Sequence, residues 1–394
     1  MSVHENITII GIGKLGLCTA LVMEKGGYDV VGVDISYKRV KEINNKTISF
    51  EEPMISEYLQ ESSHFRATIN IDEGLTHANM IFILVDTPNS GGEDFYDHSS
   101  LSSVLFEINK RRVKNKHIVV VCTIIPGYMD KVAKDLLKDC ENTTLSYNPE
   151  FIAQGEIIKG FEHPDHVLIG EGTQEAGDHI QKVYENICKS TPVYCRMSPL
   201  EAEIAKISLN GFLTMKITYA NMIGDVASRL AVSAEKIVNV LGSDTRIGHK
   251  YIRPGYSFGG PCFPRDTLAL SLFMKNIGIQ PLLPMASYEY NKIHMMEQVN
   301  FLMKKKLLTC NKISENVSEF LPDIFYNSEN NRWTIKGVVF KDNCTVPIIE
   351  ESPKLNIAKE MVKRGMVVII KDKENVIDEV RKKYGNMFSY HEII

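Results

Sequence analysis

One of the eight cysteines stands in unusual surroundings, in Gly259-Gly260-Pro261-Cys262-Phe263-Pro264-Arg265-Asp266. Glycines and prolines there make a rigid turn with close backbone access, which places the Cys262 thiol at a reachable surface. A cysteine is ordinarily a small buried hydrophobe, and that reading suffices for most of the other seven. To attack a carbonyl, Cys262 must be a thiolate, a form that a cation such as Arg265, or a lysine brought from elsewhere, favours. Lys206 and Asn210 are four residues apart and project from one face of a helix. A lysine in an apolar helix is costly unless paired, and snorkelling to solvent is its commoner fate. Asn148-Pro149-Glu150-Phe151 follows a short strand segment, the end at which α/β proteins place ligands. Glu150 is therefore a candidate general base.

A second constellation lies near the N-terminus. Gly11-Ile12-Gly13-Lys14-Leu15-Gly16 separates an apolar run, 6–10, from a helix-period stretch, 17–25. In this pattern the first glycine permits a tight turn, the second lets the backbone approach a pyrophosphate, and the third lets helix and strand pack closely. The helix N-terminus adds amides and partial positive charge. The next strand, 29–33, ends in Asp34, whose carboxylate can accept both ribose hydroxyls of NAD and repels the 2′-phosphate of NADP. Lys38 and Arg39 pull the other way, since a cation serves a 2′-phosphate. NAD is the expected cofactor.

These residues need a scaffold. Further strand segments at 80–85 and 117–122, with 145–147 and 166–169 as additions, alternate with helices and loops, predicting a doubly wound parallel sheet over 1–198. Ser198-Pro199-Leu200-Glu201 carries a cap, a first-turn proline and a glutamate three residues after the cap, a strong helix start. The stretch 202–230, free of proline and rich in Ala, Leu, Ile and Met, predicts one long, mostly buried helix within a central helical region, 199–308. Its apolar face suits either a partner subunit or burial inside one chain. The polar segment 311–331 reads as a linker, after which strand 333–340, helix 355–364 and strand 366–370 predict a small α/β domain within 309–394.

Bulk properties narrow the classes. At 394 residues the chain exceeds one core, and 45 basic against 49 acidic residues give no nucleic-acid signature. Apolar runs are too short to span a membrane and no signal-peptide pattern opens the chain, so a cytoplasmic protein without membrane attachment is expected. The cysteines form no CxxC pair and no His/Cys cluster at metal-ligand spacing, so reduced thiols and no metal are expected.

The glycine loop 11–16, Asn148-Pro149-Glu150-Phe151, Lys206 to Asn210 and Gly259 to Asp266 together resemble the UDP-glucose/GDP-mannose dehydrogenase family, over roughly residues 5–300. The resemblance implies a Rossmann-type NAD domain, a central region dominated by a long dimer helix, and a C-terminal domain that holds the nucleotide. It implies two successive NAD-dependent oxidations at C6 of a nucleotide sugar, through a thioester on Cys262. Lys206 would stabilise the oxyanion and, with Asp266, assist the cysteine and position water. Thr123, within Cys122-Thr123-Ile124-Ile125-Pro126-Gly127, would help hold that water, and Glu150 would be the acid/base. Asn210, with Phe151 and Ile152, would fix the sugar. Arg246 would reach into the neighbouring subunit's site in a homodimer. Tyr251, Arg253 and Gly259 would hold the diphosphate, and Phe340 with Lys341 would contact the nucleotide. Thr87, Gln154 and Arg265 would join the glycine loop, Asp34 and Arg39 on the cofactor side.

The C-terminal domain departs from the pattern. Where the family carries an arginine that touches NAD, in an Asp-x-Arg-Glu-Ser-type segment, this chain has Pro347-Ile348-Ile349-Glu350-Glu351-Ser352, with Glu350 in its place. Gly-Gly-Pro-Cys-Phe-Pro-Arg-Asp resembles the branch acting on UDP-glucose or GDP-mannose, rather than the N-acetyl branch, which usually has histidine before the cysteine. UDP-glucose is the first expectation, and Tyr251-Ile252-Arg253-Pro254-Gly255 resembles the GDP-mannose enzymes. A simpler β-hydroxyacid dehydrogenase would have no use for Cys262, and a non-catalytic nucleotide-sugar-binding subunit would bind without turnover.

Overall fold

Runs of β-branched residues such as Ile7 to Ile10 and Val30 to Val33 favour extended backbone, and helices bury apolar residues on both faces of the sheet that these runs form. The computed structural model describes residues 5–88, 96–308, 321–341, 344 and 346–393. The chain divides into two units, Met1–Lys206 and Ile207–Ile394.

In the first unit the order is β1 (Asn6–Ile10), α1 (Lys14–Lys25), β2 (Asp29–Val33), α2 (Tyr37–Asn44), α3 (Ile55–Glu61) and β3 (Phe65–Thr68). It continues through α4 (Ile71–His77), β4 (Met80–Ile83), α5 (Ser99–Lys110), β5 (His117–Val120), a π-helical turn (Met129–Ala133) and α6 (Lys134–Leu136). Then come β6 (Thr144–Tyr147), α7 (Ile157–Glu162), β7 (His166–Gly170), α8 (Gln174–Ile187) and β8 (Val193–Met197). The strands lie in the order β3-β2-β1-β4-β5-β6-β7-β8. Strand order reverses between β1 and β4, so a crevice opens at the carboxyl ends of those strands. The expected parallel sheet is broken at one place: β6 and β7 pair antiparallel, through Tyr147 and Gly170. The connection between them, 148–165, carries α7 and returns the chain antiparallel to β6.

Helix α9 (Pro199–Arg229) begins where the sequence places it. Ser198 Oγ accepts from Glu201 N, and the Glu201 carboxylate accepts from Ser198 N at 2.9 Å, a closed capping box. Its burial differs from expectation: Ala202, Ile207 and Ala220 are buried, but Phe212, Tyr219, Met222 and Val226 are exposed along one stripe. Helical periodicity shows an apolar face, not what covers it.

The second unit continues with α10 (Ala234–Ser243), α11 (Phe263–Asn276) and α12 (Leu282–Leu308), then β9 (Ile324–Asn327), β10 (Arg332–Lys336), α13 (Pro353–Lys363), β11 (Val367–Asp372), α14 (Glu374–Tyr384) and β12 (Ser389–Glu392). Its sheet, β12-β11-β10-β9, is parallel except for the β9–β10 hairpin. The expected linker 311–331 thus contains β9, whose Ile324 packs into the core with Trp333; residues 311–320 lie outside the described residues. The expected strand 333–340 ends at Lys336, before Gly337 at φ +61°. Among the described residues no helix is long and apolar enough to cross a membrane.

Candidate active site

The first unit carries the glycine loop at the sheet's reversal point. Gly11 has φ +92°, and a Cβ there would lie 2.3 Å from the Leu84 carbonyl oxygen at the end of β4. A Cβ on Gly16 would lie 1.9 Å from the Gly11 oxygen, so α1 can approach the loop only with glycine at that position. At Gly13 a Cβ would meet nothing within 4 Å. The open side of Gly13 at the N-terminus of α1 suits a pyrophosphate. Asp34 is buried and already accepts from Ile12 N (3.1 Å), Ser36 N (2.9 Å) and Arg39 Nη1 (3.0 Å). A carboxylate has about four acceptor positions, so room remains for a ribose hydroxyl. Arg39 is engaged with Asp34 in the same ion pair. The loop and Asp34 therefore fit a dinucleotide with a free 2′-hydroxyl.

Beyond β4 and β5 the same sheet edge carries Thr87 and Thr123, with Thr87 Oγ1 donating to the Thr123 carbonyl at 2.8 Å. The turn after Thr123 is fixed from α9 by Glu203, whose carboxylate accepts from Gly127 N (2.6 Å) and Met129 N (2.9 Å). Glu52 acts likewise on the segment after Glu150, accepting from Gly155 N and Ile157 N at 3.0 Å each. Neither glutamate is apparent as a site residue in the sequence, since only the fold brings them to those amides.

Glu150 follows β6. Burial pushes its carboxyl up to about 7, against the opposing effects of the Tyr184 hydroxyl and Lys206. Tyr184, from α8, donates to Glu150 Oε1, while Asn148 Oδ1 lies 2.9 Å from the same hydroxyl. Burial and the Glu150 charge hold Tyr184 well above the usual phenol range, so it stays a donor. Tyr184 is a partner of the candidate base Glu150 that sequence reasoning missed. Lys206 is buried and does not snorkel: Nζ donates to the Glu150 carbonyl and lies 4.2 Å from the Phe151 ring centroid. Ile152 packs against Gly160, and Gln154 is exposed.

The second unit carries the cysteine. Cys262 is exposed and caps the N-terminus of α11, where the aligned peptide dipoles favour negative charge. Asp266, one turn on, is buried, accepting from Asn210 Nδ2 at 2.6 Å and Arg265 Nε at 3.0 Å. The loop before the cysteine is pinned on several sides. Asn291 accepts from Phe258 N (2.8 Å) and donates to Phe258 O (2.9 Å); Asn221 accepts from Gly255 N (2.9 Å) and donates to Tyr256 O (3.2 Å). His294 links Asp225 to the Gly255 carbonyl, its ring nitrogens 2.9 and 2.8 Å from them. A Cβ on Gly259 would lie 2.1 Å from the Glu351 carbonyl, and one on Gly260, at φ +79°, 2.5 Å from the Phe340 ring. Phe340 and the 351–353 segment are thereby brought against the cysteine loop. Glu350 lies beside this contact, one residue before Glu351. Tyr251 and Arg253 are exposed, as is Arg246, which pairs with Asp244. Lys341 is partly buried.

A glycine loop with Asp34 at the reversal point of a doubly wound sheet defines an NAD-type dinucleotide-binding domain. Residues 5–188 match the NAD binding domain of the UDP-glucose/GDP-mannose dehydrogenase family, and residues 200–293 match its central domain. The chain belongs to that family and is an NAD-dependent nucleotide-sugar dehydrogenase. Among relatives, the GDP-mannose 6-dehydrogenase of Pseudomonas savastanoi pv. phaseolicola is 28% identical over 93% of this chain and 80% of that one. The UDP-glucose 6-dehydrogenase of Rickettsia bellii is 26% identical over 92% and 80%. Among solved structures, a UDP-glucose dehydrogenase from Pyrobaculum islandicum has a TM-score of 0.85 at 25% identity, over 100% of this chain and 87% of that one.

Proposed function

We propose that this protein oxidises the C6 primary alcohol of UDP-glucose to the carboxylate of UDP-glucuronate, with Cys262 as the nucleophile. The observation that carries the reading is the placement of Cys262, exposed at a helix N-terminus on a loop that several side chains pin. When bound, NAD supplies a hydride acceptor, two molecules being reduced for each sugar. Glu150 takes the hydroxyl proton as C6 loses its first hydride, leaving an aldehyde. Cys262 Sγ then bonds to the carbonyl carbon, and the oxygen takes a proton to give a thiohemiacetal. Loss of that proton and of the second hydride from C6 leaves a thioester. Water adds to its carbonyl carbon, the C–S bond breaks with the electron pair returning to sulfur, and the carboxylate departs.

In this reading Lys206 stabilises the oxyanion, Thr123 and Asp266 position water, and Asn210 orients the sugar. Tyr251, Arg253 and Gly259 hold the diphosphate, and Phe340 with Lys341 contacts the nucleotide. The exposed stripe Phe212, Tyr219, Met222 and Val226 on α9 supports a homodimer. Arg246 then serves the second copy's site. GDP-mannose is the second reading, favoured by 251–255 and by relatives named for that sugar.

The test supplies UDP-glucose, GDP-mannose and UDP-N-acetylglucosamine in parallel with NAD, following NADH and identifying products by mass spectrometry. Two NADH per acid formed from UDP-glucose supports the reading, and exclusive turnover of GDP-mannose moves it to the second. Cys262→Ser is expected to abolish acid formation; undiminished acid from that variant removes the thioester route.

A further inference from the structure

On the opposite edge of the first unit's sheet lies a cluster that the reaction does not use. His117 opens β5, and Glu175 and His179 lie one turn apart on α8, which packs against β6 and β7. One ligand atom from each of the three residues lies within 4.8 Å of the others, close enough that the group could hold a metal ion. The two imidazoles meet edge to face at 5.0 Å between centroids. Bonds of about 2.0–2.2 Å in a tetrahedral site put ligand atoms about 3.4 Å apart, so modest side-chain rotation closes the cluster around one ion.

A second observation concerns His117 alone. Its Nδ1 lies 2.8 Å from Thr144 Oγ1 at the start of β6, which engages that nitrogen and leaves Nε2 for a ligand bond. A metal-bound histidine characteristically has its other ring nitrogen engaged in this way, which fixes tautomer and ring orientation. Glu175 is exposed, so an ion has an entry path, and three protein ligands leave a position for water.

We propose that His117, Glu175 and His179 form a binding site for one divalent transition-metal ion of the zinc class. Two imidazoles and one carboxylate suit zinc, nickel, cobalt or copper better than magnesium or calcium, which prefer all-oxygen sites. The ion ties the first turns of α8 to the N-terminal edge of β5. Thr123 and Glu150 follow the carboxyl ends of β5 and β6, and a four-residue strand is ~13 Å long. The site is therefore structural and separate from the catalytic groups.

The test titrates chelator-treated full-length Cys262→Ser protein with Co²⁺, followed by competition with Zn²⁺. One equivalent is expected to give d–d absorption without a thiolate-to-cobalt charge-transfer band, and Zn²⁺ is expected to displace it. His179→Ala should lose that equivalent, Glu175→Gln should weaken it, and Thr144→Val should weaken it by about 10–100-fold. In the otherwise native enzyme, His179→Ala should leave NADH production unchanged. Absence of the band, a band of thiolate character only, or a band that survives in both His179→Ala and Glu175→Gln overturns the proposal. Circular dichroism of each variant separates loss of the site from loss of the fold.

Discussion

Glu150→Gln is expected to move activity and stability in opposite directions. Burial lifts the Glu150 carboxyl from an ordinary 4.5 to about 7. Between those values the folded chain retains a proton that the unfolded chain has released, so stability falls as pH rises through this window. Above pH 7 the full cost is present, roughly 3 kcal/mol at about 1.4 kcal/mol per pH unit. Glutamine has the same shape, its amide oxygen still accepts from Tyr184, and Lys206 keeps its bond to the backbone carbonyl. The variant should therefore be more stable than the parent at pH 8 by up to ~3 kcal/mol, with most of the difference gone at pH 5. Turnover should fall by about 10²–10⁴-fold, because an amide cannot take the proton. Parental kcat/KM should rise with pH through about 7 as the base ionises. Urea titrations at the two pH values, with NADH production measured alongside, make the check. Equal stability gaps at pH 5 and pH 8, or a variant with undiminished turnover, would refute the argument.

Other substitutions probe the loops. Gly260→Ala forces a side chain into a left-handed conformation and against Phe340, at a cost of roughly 1–2 kcal/mol for the backbone alone. A lowered Tm with loss of turnover is expected, and an unchanged Tm contradicts the contact. Asn291→Ala leaves both polar groups of Phe258 without that side chain, costing roughly 1–3 kcal/mol and slowing the step that uses Cys262; thiol alkylation rates should change with it. Asp34→Ala removes the acceptor of Ile12 N and frees Arg39, so KM for NAD should rise and discrimination against NADP should narrow in steady-state kinetics. Phe212→Arg places charge on the exposed stripe of α9, and a shift toward monomer in sedimentation equilibrium is expected.

Much of the scaffold was legible in local pattern. The alternation of β-branched runs with helical periods determines the Rossmann-type sheet. Ser198 to Glu201 determines where α9 starts, because a capping box is closed within four residues. The glycine loop was equally readable: Gly11 needs its positive φ, and Gly13 and Gly16 serve access and close approach as their spacing suggests. Cys262 stood out because its flanking glycines and prolines are improbable in a core, and Glu150 because it follows a strand end, where α/β proteins place ligands.

Properties made by distant segments required the tertiary structure. The raised Glu150 carboxyl depends on desolvation and on Tyr184 from α8, which no local spacing announces. Glu203, Glu52, Asn221 and Asn291 read as ordinary helix or loop residues until the fold aims them at the amides and carbonyls they hold. The antiparallel step at β6–β7 and the open stripe on α9 depend on how elements are covered, whereas periodicity reports only which residues share a face. The expectation of no metal rested on spacing along the chain, in which Glu175 and His179 are a helical turn apart but His117 belongs to a different element. Only the pairing of β5 with β6 and the packing of α8 bring the three together, since ligand geometry is set by distance in space.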